Sequence, residues 1–360
     1  MAEGEVPELN QVSSQVENKE NLPRAFIDSE LIKSIDSGRR ENGTSGILFT
    51  DIDGTFRRRD SEISSADLFK KAQENKFPIV AVTGNNFSVI QQRIESGELP
   101  YFEAIAGSVG TELYVLHLDA NGEKTYIKDD VFEQKMLEKG FDRVALNRIA
   151  NKMVEDLKPN NELSLDFQKP EIEKAYSQGE KVIVEPFKIS FYAFASSPEA
   201  LVDMRRELSS HFPGQKVVIC EESDYNEKLS QGEMRKRYCI DVLPVTKADV
   251  VDYVGETTNV DVKMVAGDGG NDEVMLTGAG DVSIAVGGLK PDLRQAIQDV
   301  TVESSGRGSF KKVQTKEGKT KYYYSEKGNG RLGPDSILYA TEVLLRAQRM
   351  AKMKSAGTSA

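Results

Sequence analysis

Short apolar runs alternate with amphipathic segments through the first third of the chain. The runs Ile47–Thr50, Pro78–Val82 and Ala104–Gly107 are four or five residues long, which is typical of strands buried on both faces of a sheet. The segments between them, Ser64–Asn75 and Phe87–Ser96, carry apolar residues at helical spacing. Strand, helix and strand at this spacing predict a parallel α/β sheet.

The pattern changes in the middle of the chain and then returns. Lys128–Leu157 indicates one or two helices, and Val182–Ala195 indicates a strand because apolar residues alternate along it. A helix and two strands follow at Pro198–His211, Val217–Cys220 and Arg237–Val242. The first pattern then resumes with a helix, a strand, a helix and a strand that begin at Lys247, Val262, Asp272 and Val282. We therefore predict an α+β block inserted between two parts of an α/β domain.

The ends of the chain carry weaker signals. Residues 1–45 are polar, and we expect them to form a largely disordered N-terminal tail. Within this tail, Ala25–Ile35 predicts a short amphipathic helix, and Gly38–Gly46 predicts a linker because it holds three glycines. Residues 309–330 are rich in Lys and Gly and indicate a surface hairpin, and Ser336–Met353 indicates a final helix.

The charge of the chain narrows the choice of partners. Its 360 residues include 47 basic and 58 acidic side chains, for a net charge of −11, which argues against nucleic acid as a main partner. The apolar runs are too short to cross a membrane, and residues 1–5 do not have the composition of a secretory signal. The two cysteines, Cys220 and Cys239, favour a reducing, cytoplasmic location, and a bridge between them would require their strands to pair. The sequence leaves the oligomeric state open.

Two acidic clusters carry the candidate chemistry. Asp51 and Asp53 follow the first buried strand directly, with Gly54 next to them. Paired carboxylates at the end of a buried strand are costly unless a cation or a reaction requires them. Asp268 and Asp272 follow a later strand in the same way. Because α/β proteins place their chemistry at strand ends, the two clusters predict a hard-cation site with oxygen ligands.

The first cluster suits phosphoryl transfer. Asp51 can attack phosphorus and form an acyl phosphate that water then hydrolyses. Asp53 can protonate the leaving oxygen and then activate the water, and the N–H of Gly54 can bind a phosphate oxygen. A calcium-binding or turn motif is the alternative interpretation of these residues taken alone. The two histidines, His117 and His211, lie outside both clusters, which disfavours a histidine-based hydrolase or a zinc site.

Four motifs together resemble the haloacid dehalogenase superfamily, most of whose members are Mg²⁺-dependent phosphatases. In chain order they are Asp51-Ile-Asp-Gly-Thr55, Thr83-Gly84, Lys247 and Gly267-Asp-Gly-Gly-Asn-Asp272. Three further strings resemble the sucrose-6-phosphate phosphatase branch, and they are Ser108-Val-Gly-Thr-Glu112, Lys188-Ile-Ser-Phe-Tyr192 and Asp241-Val-Leu-Pro244. The resemblance implies a Rossmann-like parallel-sheet core at 46–113 and 240–353, with an inserted α+β cap domain at 114–239.

The resemblance also implies a role for each motif residue. The implied catalytic residues are Asp51, Asp53, Thr83 and Lys247. The implied Mg²⁺ ligands are Asp51, Asp53 through its backbone carbonyl, Asp268 and, less directly, Asp272. The implied phosphate- or substrate-binding residues are Gly54, Gly84, Asn85, Asn271, Thr111 and Lys188. Many relatives have Arg where this chain has Asn85, so a cation is missing at that position, and Lys236 is the nearest alternative to Lys247.

These residues lead us to expect a Mg²⁺-dependent phosphatase of a phosphorylated sugar or sugar-like metabolite. It would act through an aspartyl phosphate, with sucrose 6-phosphate or a related disaccharide phosphate as the leading candidate substrate. Two alternatives stay open, a phosphosugar mutase of the phosphomannomutase type and a non-catalytic regulatory module. We expect the cap to select the substrate, with Lys188 either contacting the sugar or facing solvent from its strand.

Overall fold

The computed structural model of the chain describes residues 22–156, 166–181, 184–195, 198–228, 234–286, 309–314, 320–325 and 333–357. Residues 1–21 of the predicted disordered tail lie outside this part of the chain. Two compact units are present. The first contains the residues up to Val131, Lys247–Asp268 and the residues from Asp272 onward, and the second contains Phe132–Thr246 and Gly269–Asn271.

Helices and strands alternate along the described chain. The α-helices are α1 (Glu30–Asn42), α2 (Ser65–Glu74), α3 (Phe87–Glu95), α4 (Asp130–Glu138), α5 (Arg143–Asp156), α6 (Glu171–Ser177), α7 (Pro198–His211), α8 (Lys247–Thr258) and α9 (Pro334–Gly357). The strands are β1 (Gly46–Thr50), β2 (Ile79–Val82), β3 (Ala104–Gly107), β4 (Glu112–Leu118), β5 (Lys124–Lys128), β6 (Asp166–Gln168), β7 (Ile189–Ala195), β8 (Lys216–Lys228), β9 (Met234–Leu243), β10 (Val262–Gly267), β11 (Val282–Ala285), β12 (Ser309–Gln314) and β13 (Thr320–Ser325).

The first unit is built on one large sheet. Nine of the described strands form it, in the order β12-β13-β11-β10-β1-β2-β3-β4-β5. The strands from β13 to β3 pair in parallel, whereas β12, β4 and β5 extend the two edges in antiparallel pairs. The predicted α/β class with a mostly parallel central sheet is confirmed.

The central strands form the core of this unit, as their apolar runs predict. Every residue of β1, β2, β3 and β11 is buried. Helix α2 begins after Ser64, whose hydroxyl accepts a hydrogen bond from the N–H of Asp67. The apolar residues Leu68 and Ala72 of α2 belong to the same core cluster as Ile337 of α9. Burial of one such leucine stabilises the fold by about 1.5–3 kcal/mol, and this packing fixes the strands whose ends carry the acidic residues.

The second unit has an α+β arrangement. Four of its described strands form an antiparallel sheet in the order β6-β7-β9-β8. Ile189, Phe191 and Ala193 of β7 are fully buried, and they belong to a core cluster with apolar residues of α5 and α7. Cys220 and Cys239 are paired positions of β8 and β9, but both are free thiols.

The predicted helix and linker near the N-terminus differ from the structure. Helix α1 begins after Ser29 and continues to Asn42, through the first glycine of the predicted linker. A Cβ atom at Gly38 would lie 2.9 Å from the carbonyl oxygen of Lys76. This glycine therefore allows close packing inside the helix instead of ending it. The helix ends at Gly43, which is left-handed with φ 75°.

Three other segments also differ. The residues after 113, which we predicted to belong to the cap, first form β4 and β5 on the large sheet. The two strands of the hairpin predicted within 309–330 are present as the antiparallel pair β12 and β13. The hairpin is not a surface feature, because β13 also pairs with β11 and because Tyr322 and Tyr323 are buried. The helix predicted from Asp272 is present but irregular, with a 3₁₀ turn at Gly270–Asp272 and a π turn at Met275–Ala279.

Candidate active site

The carboxyl ends of β1 and β10 lie side by side. Thr50 pairs with Ala266 in parallel register, and the N–H of Asp51 donates to the carbonyl oxygen of Ala266 at 3.0 Å. Asp51 and Asp268 therefore leave the sheet at the same edge. The pairing of two strands that are distant in sequence brings the two acidic clusters together.

Three aspartates form a buried cluster at this edge. Asp51, Asp268 and Asp272 each place a carboxylate oxygen within 4.8 Å of the other two, and all three are buried. The N–H of Asp268 donates to Oδ2 of Asp272 at 3.0 Å, and the hydroxyl of Thr55 donates to Oδ1 of Asp268 at 3.0 Å. Gly54 has φ 89°, and a Cβ atom there would lie 2.3 Å from Oδ2 of Asp268. Both the turn and the cluster therefore require glycine at this position.

Lys247 completes the cluster. Its Nζ donates to Oδ1 of Asp51 at 2.6 Å and to Oδ1 of Asp272 at 2.7 Å, and the side chain is fully buried. Lys236, the alternative, instead donates to Glu221 at 2.9 Å within the second unit. Burial works to lower the pKa of Lys247, but Asp272 and Asp51 raise it above its usual value. Lys247 is therefore a fixed positive charge between two of the aspartates.

The cluster carries more negative than positive charge. Burial raises the pKa of Asp51 to about 8; Lys247 opposes this shift, whereas Asp272 and Asp268 add to it. With all groups ionised, three carboxylates face one ammonium group. A divalent cation would offset the excess and favour the ionised carboxylates, and carboxylate oxygens are the ligands that Mg²⁺ prefers. The residues present therefore fit a hard divalent cation.

Asp53 has a different environment from Asp51, although only one residue separates them. Its side chain is 50% exposed and is not one of the three in the buried cluster. It accepts hydrogen bonds from Nη2 and Nη1 of Arg93 at 2.8 and 2.9 Å, and from Nδ2 of Asn85 at 3.3 Å. Arg57 lies 3.8 Å away. Two arginines from other positions thus supply positive charge beside the loop that carries Asn85.

The sequence reasoning missed both arginines. Arg57 follows Asp53 by four residues, but the residues between them form a turn and not a helix, so this spacing does not predict the pair. Arg93 has the spacing of any arginine on a helix, and nothing in its local sequence distinguishes it.

Thr83 and the residues after it form a tightly held loop. Thr83 is buried, and its hydroxyl accepts a hydrogen bond from the N–H of Asn85 at 3.2 Å. Thr83 can donate the hydrogen of the same hydroxyl to a phosphoryl oxygen. The carbonyl oxygens of Thr83 and Asn85 accept from the N–H groups of Val109 and Ser108 at 2.9 and 2.8 Å. Gly84 lies between these two anchored residues.

The turn that holds this loop is strained. Ser108 and Val109 have φ 51° and 61°, a left-handed conformation that is uncommon for non-glycine residues and most unusual for valine. Glu112 supports the turn, because one of its carboxylate oxygens accepts from the N–H of Phe87 at 2.6 Å and from the hydroxyl of Ser108 at 3.0 Å. Thr111 donates its hydroxyl to the carbonyl oxygen of Ser108 at 3.1 Å. In this structure Thr111 stabilises the turn, and the sequence-based assignment of substrate binding stays a prediction.

The remaining predicted residues lie in the second unit. Lys188 is buried, and its Nζ lies 2.8 Å from Oε2 of Glu185. It does not face solvent from its strand, so that alternative is wrong. Burial works to lower the pKa of Lys188, but Asp241 and Glu185 raise it above its usual value. Asn271 lies in the short turn Gly270–Asp272.

Comparisons with known proteins identify a family and agree with this fold. The family model for sucrose-6F-phosphate phosphohydrolase matches residues 44–306. The sucrose-phosphatase of Synechocystis sp. PCC6803, solved with sucrose and phosphate, is 17% identical, with a TM-score of 0.54 over 83% of this chain and 97% of that one. A search of curated proteins found no significant match.

Two further solved structures are less similar. A haloacid dehalogenase-like hydrolase from Bacillus subtilis is 18% identical, with a TM-score of 0.37 over 69% of this chain and 84% of that one. A sugar phosphatase of haloacid dehalogenase subclass IIB is 15% identical, with a TM-score of 0.40 over 70% of this chain and 91% of that one.

The family match together with the fold identifies the class of protein. This is a phosphatase of the haloacid dehalogenase superfamily, of the type that acts on sugar phosphates. Within that class, the chain belongs to the sucrose-6F-phosphate phosphohydrolase family, whose model matches most of its length. Among the described helices, none is both long and apolar enough to cross a membrane.

Proposed function

We propose that this protein is a Mg²⁺-dependent phosphatase that hydrolyses sucrose 6-phosphate or a related disaccharide phosphate. The observation that carries the proposal is the buried set of Asp51, Asp268, Asp272 and Lys247, in which carboxylates exceed cations. The match to the sucrose-6F-phosphate phosphohydrolase family supports the substrate class. The fold is similar to that of a sucrose-phosphatase solved with sucrose and phosphate.

The metal would be held by Asp51, Asp268, the backbone carbonyl of Asp53 and, less directly, Asp272. When bound it would supply positive charge that offsets the phosphate and the carboxylates. Lys247 supplies a second, permanent positive charge and fixes one oxygen of Asp51 by a hydrogen bond of 2.6 Å. These charges allow an anionic nucleophile to approach an anionic phosphate.

The reaction would proceed in two steps on the chain's own side chains. A carboxylate oxygen of Asp51 forms a bond to phosphorus, and the bond from phosphorus to the sugar oxygen breaks as Asp53 donates a proton to that oxygen. Water then attacks phosphorus, Asp53 takes its proton, and the bond between phosphorus and Asp51 breaks. Inorganic phosphate and the free sugar are released, and both aspartates return to their starting state.

The hydroxyl of Thr83 would donate to a phosphoryl oxygen, and the N–H of Gly84 would bind another. The N–H of Gly54 donates to the carbonyl oxygen of Arg57 at 3.0 Å and would have to give up that bond to bind phosphate. Asn85, Thr111 and Asn271 stay candidates for substrate binding. In the second unit, Lys188 would contact the sugar, and it would have to exchange part of its pairing with Glu185 for that contact.

A phosphate-release panel tests the proposal. Sucrose 6-phosphate, glucose 6-phosphate, fructose 6-phosphate and 4-nitrophenyl phosphate would be offered with Mg²⁺ or with chelator, and Asp51→Asn protein purified in parallel would control for contaminating phosphatases. We expect fastest phosphate release from sucrose 6-phosphate and none in chelator. An isomeric sugar phosphate without phosphate release would indicate the mutase, and inactivity towards every ester would indicate the non-catalytic module. Full turnover in chelator would contradict the metal requirement.

A further inference from the structure

The carboxylate of Asp53 is held by one arginine in a two-pronged contact. Nη2 and Nη1 of Arg93 donate to its two oxygens at 2.8 and 2.9 Å. Paired parallel hydrogen bonds of this kind fix the orientation of a carboxylate as well as its position. A half-exposed aspartate without such a partner would move among its rotamers.

Arg93 is itself fixed from its other side. Its Nε donates to Glu98 at 3.0 Å, and its side chain is 15% exposed. Glu98 also pairs with Arg57 at 3.0 Å, and the N–H of Glu98 donates to the carbonyl oxygen of Arg93 at 2.9 Å. Arg93 therefore lies between two carboxylates and has little freedom to leave Asp53.

The position of Arg93 links Asp53 to the phosphate-binding loop. Arg93 belongs to α3, which begins at Phe87 directly after the loop of Thr83, Gly84 and Asn85. Asn85 also donates to Asp53, at 3.3 Å. The loop and the helix that follows it thus hold the carboxylate of Asp53 together.

We propose that Arg93 is a positioning residue that holds Asp53 in the orientation needed for proton transfer to the leaving sugar oxygen and from the attacking water. The proposal rests on the proposed function, since it requires Asp53 to be the proton donor and acceptor. A carboxylate that is misplaced by about 1 Å transfers protons poorly, and such errors can cost about 10²-fold in rate.

The test compares two leaving groups. A sugar oxygen needs a proton as it leaves, whereas 4-nitrophenolate does not. In Arg93→Gln we expect kcat/KM to fall about 10- to 100-fold for sucrose 6-phosphate, or for the sugar phosphate turned over best, and less than about threefold for 4-nitrophenyl phosphate. The kcat should fall for both esters, because Asp53 also activates the water. Arg93→Lys should restore part of the loss, since it keeps one charged hydrogen bond.

Two further variants separate the possible failures. In an Asp53→Asn background, Arg93→Gln should change kcat/KM by less than about twofold, because positioning acts only through Asp53. The control Arg58→Gln removes a nearby arginine that pairs with exposed Asp60 and should leave both esters unaffected. Thermal unfolding of each variant would show whether the fold is intact, and Arg93→Lys carries the test if Arg93→Gln unfolds.

Several results would overturn the proposal. Equal losses of kcat/KM for both esters, additive effects with Asp53→Asn, or faster turnover in Arg93→Gln would each contradict positioning. If instead Asp53→Asn alone leaves the leaving-group dependence of the parent unchanged, the proton-transfer role of Asp53 fails, and with it the proposed mechanism. That result is distinguishable because it does not involve Arg93.

Discussion

Each of the two units contains a buried lysine paired with carboxylates, and the two lysines differ in where their partners come from. Lys247 is fully buried and donates to Asp51 and Asp272, which are brought to it from two different strand ends. Lys188 is also buried but pairs with Glu185, only three residues earlier in the chain. The carboxylate of Asp241, on strand β9, also works to raise the pKa of Lys188.

This difference bears on what each lysine can do. The partners of Lys247 meet only in the folded sheet, so its contacts define an assembled site. The pair of Lys188 and Glu185 is local in sequence, and Asp241 adds a charge from a distant part of the chain. The first arrangement suits chemistry that needs fixed charges, and the second suits a side chain that takes up a contact with a substrate.

The largest expected effect is on the nucleophile. Asp51→Asn keeps the size of the side chain and removes the ionisable carboxyl group, so turnover should fall about 10³-fold or more. Steady-state phosphate release measures this, with thermal unfolding as the check on the fold. Turnover within about tenfold of the parent in a folded variant would exclude Asp51 as the nucleophile.

The next prediction concerns Lys247 and stability. Lys247→Met removes the ammonium group and leaves Asp51 and Asp272 buried without their shared partner, which should cost about 3–5 kcal/mol of unfolding free energy in chelator. The matched control is Lys236→Met, whose half-exposed pair with Glu221 is worth about 0–1 kcal/mol. Urea unfolding measures both. Equal losses in the two variants would show that the buried cluster has no special dependence on Lys247.

A smaller effect is expected at Lys188. Lys188→Ala should lower kcat/KM for the sugar phosphate by about 10- to 100-fold, the value of a charged hydrogen bond of about 1.5–3 kcal/mol. Turnover of 4-nitrophenyl phosphate, which offers no sugar hydroxyl, should change little. If both esters respond equally, or neither does, Lys188 is not a specificity contact and its role is confined to pairing with Glu185.

The last prediction concerns the pH dependence of the stability of the metal-free protein. The pKa of Asp51 is raised from 3.8 to about 8, so between these values the folded state binds a proton that the unfolded state has lost. Stability therefore falls as pH rises through this window. In chelator, the parent should lose stability relative to Asp51→Asn between pH 5 and pH 8, measured by urea unfolding. Mg²⁺ should reduce the slope of unfolding free energy against pH, because it favours the ionised carboxylate. An identical slope in the parent and in Asp51→Asn would show that Asp51 is not the group with the raised pKa.

The sequence was sufficient for the buried cluster. Apolar runs ending in Asp51 and Asp268 predict adjacent parallel strands, and parallel strands meet at one edge, so the convergence follows from the fold class. The role of Lys247 was harder to predict, because nothing in the local sequence distinguishes a lone lysine at the start of a helix from a surface lysine. Only the order of the motifs favoured it over Lys236, and the structure shows which of the two reaches the aspartates.

Other features depend on contacts that no local pattern reveals. Arg93 hydrogen-bonds to Asp53 although 40 residues separate them in the sequence, and a helix pattern does not show which arginine makes such a contact. We predicted Gly38 to lie in a linker because glycine is common in linkers. In the structure it lies inside α1, where its small size allows close packing against Lys76. The alternation of apolar residues predicted that Lys188 and Ile189 point to opposite faces of the strand, but it did not show whether the face with Lys188 was covered.

The most direct test of the account is to locate the phosphoryl group on the protein during turnover. The enzyme would be mixed with sucrose 6-phosphate and Mg²⁺, quenched in acid within one turnover, digested and mapped by mass spectrometry. We predict a phosphoryl group on Asp51, in the peptide that also contains Asp53, and none in Asp51→Asn. Phosphorylation of a different residue, or rapid turnover with no phosphorylated protein at any time, would contradict the account.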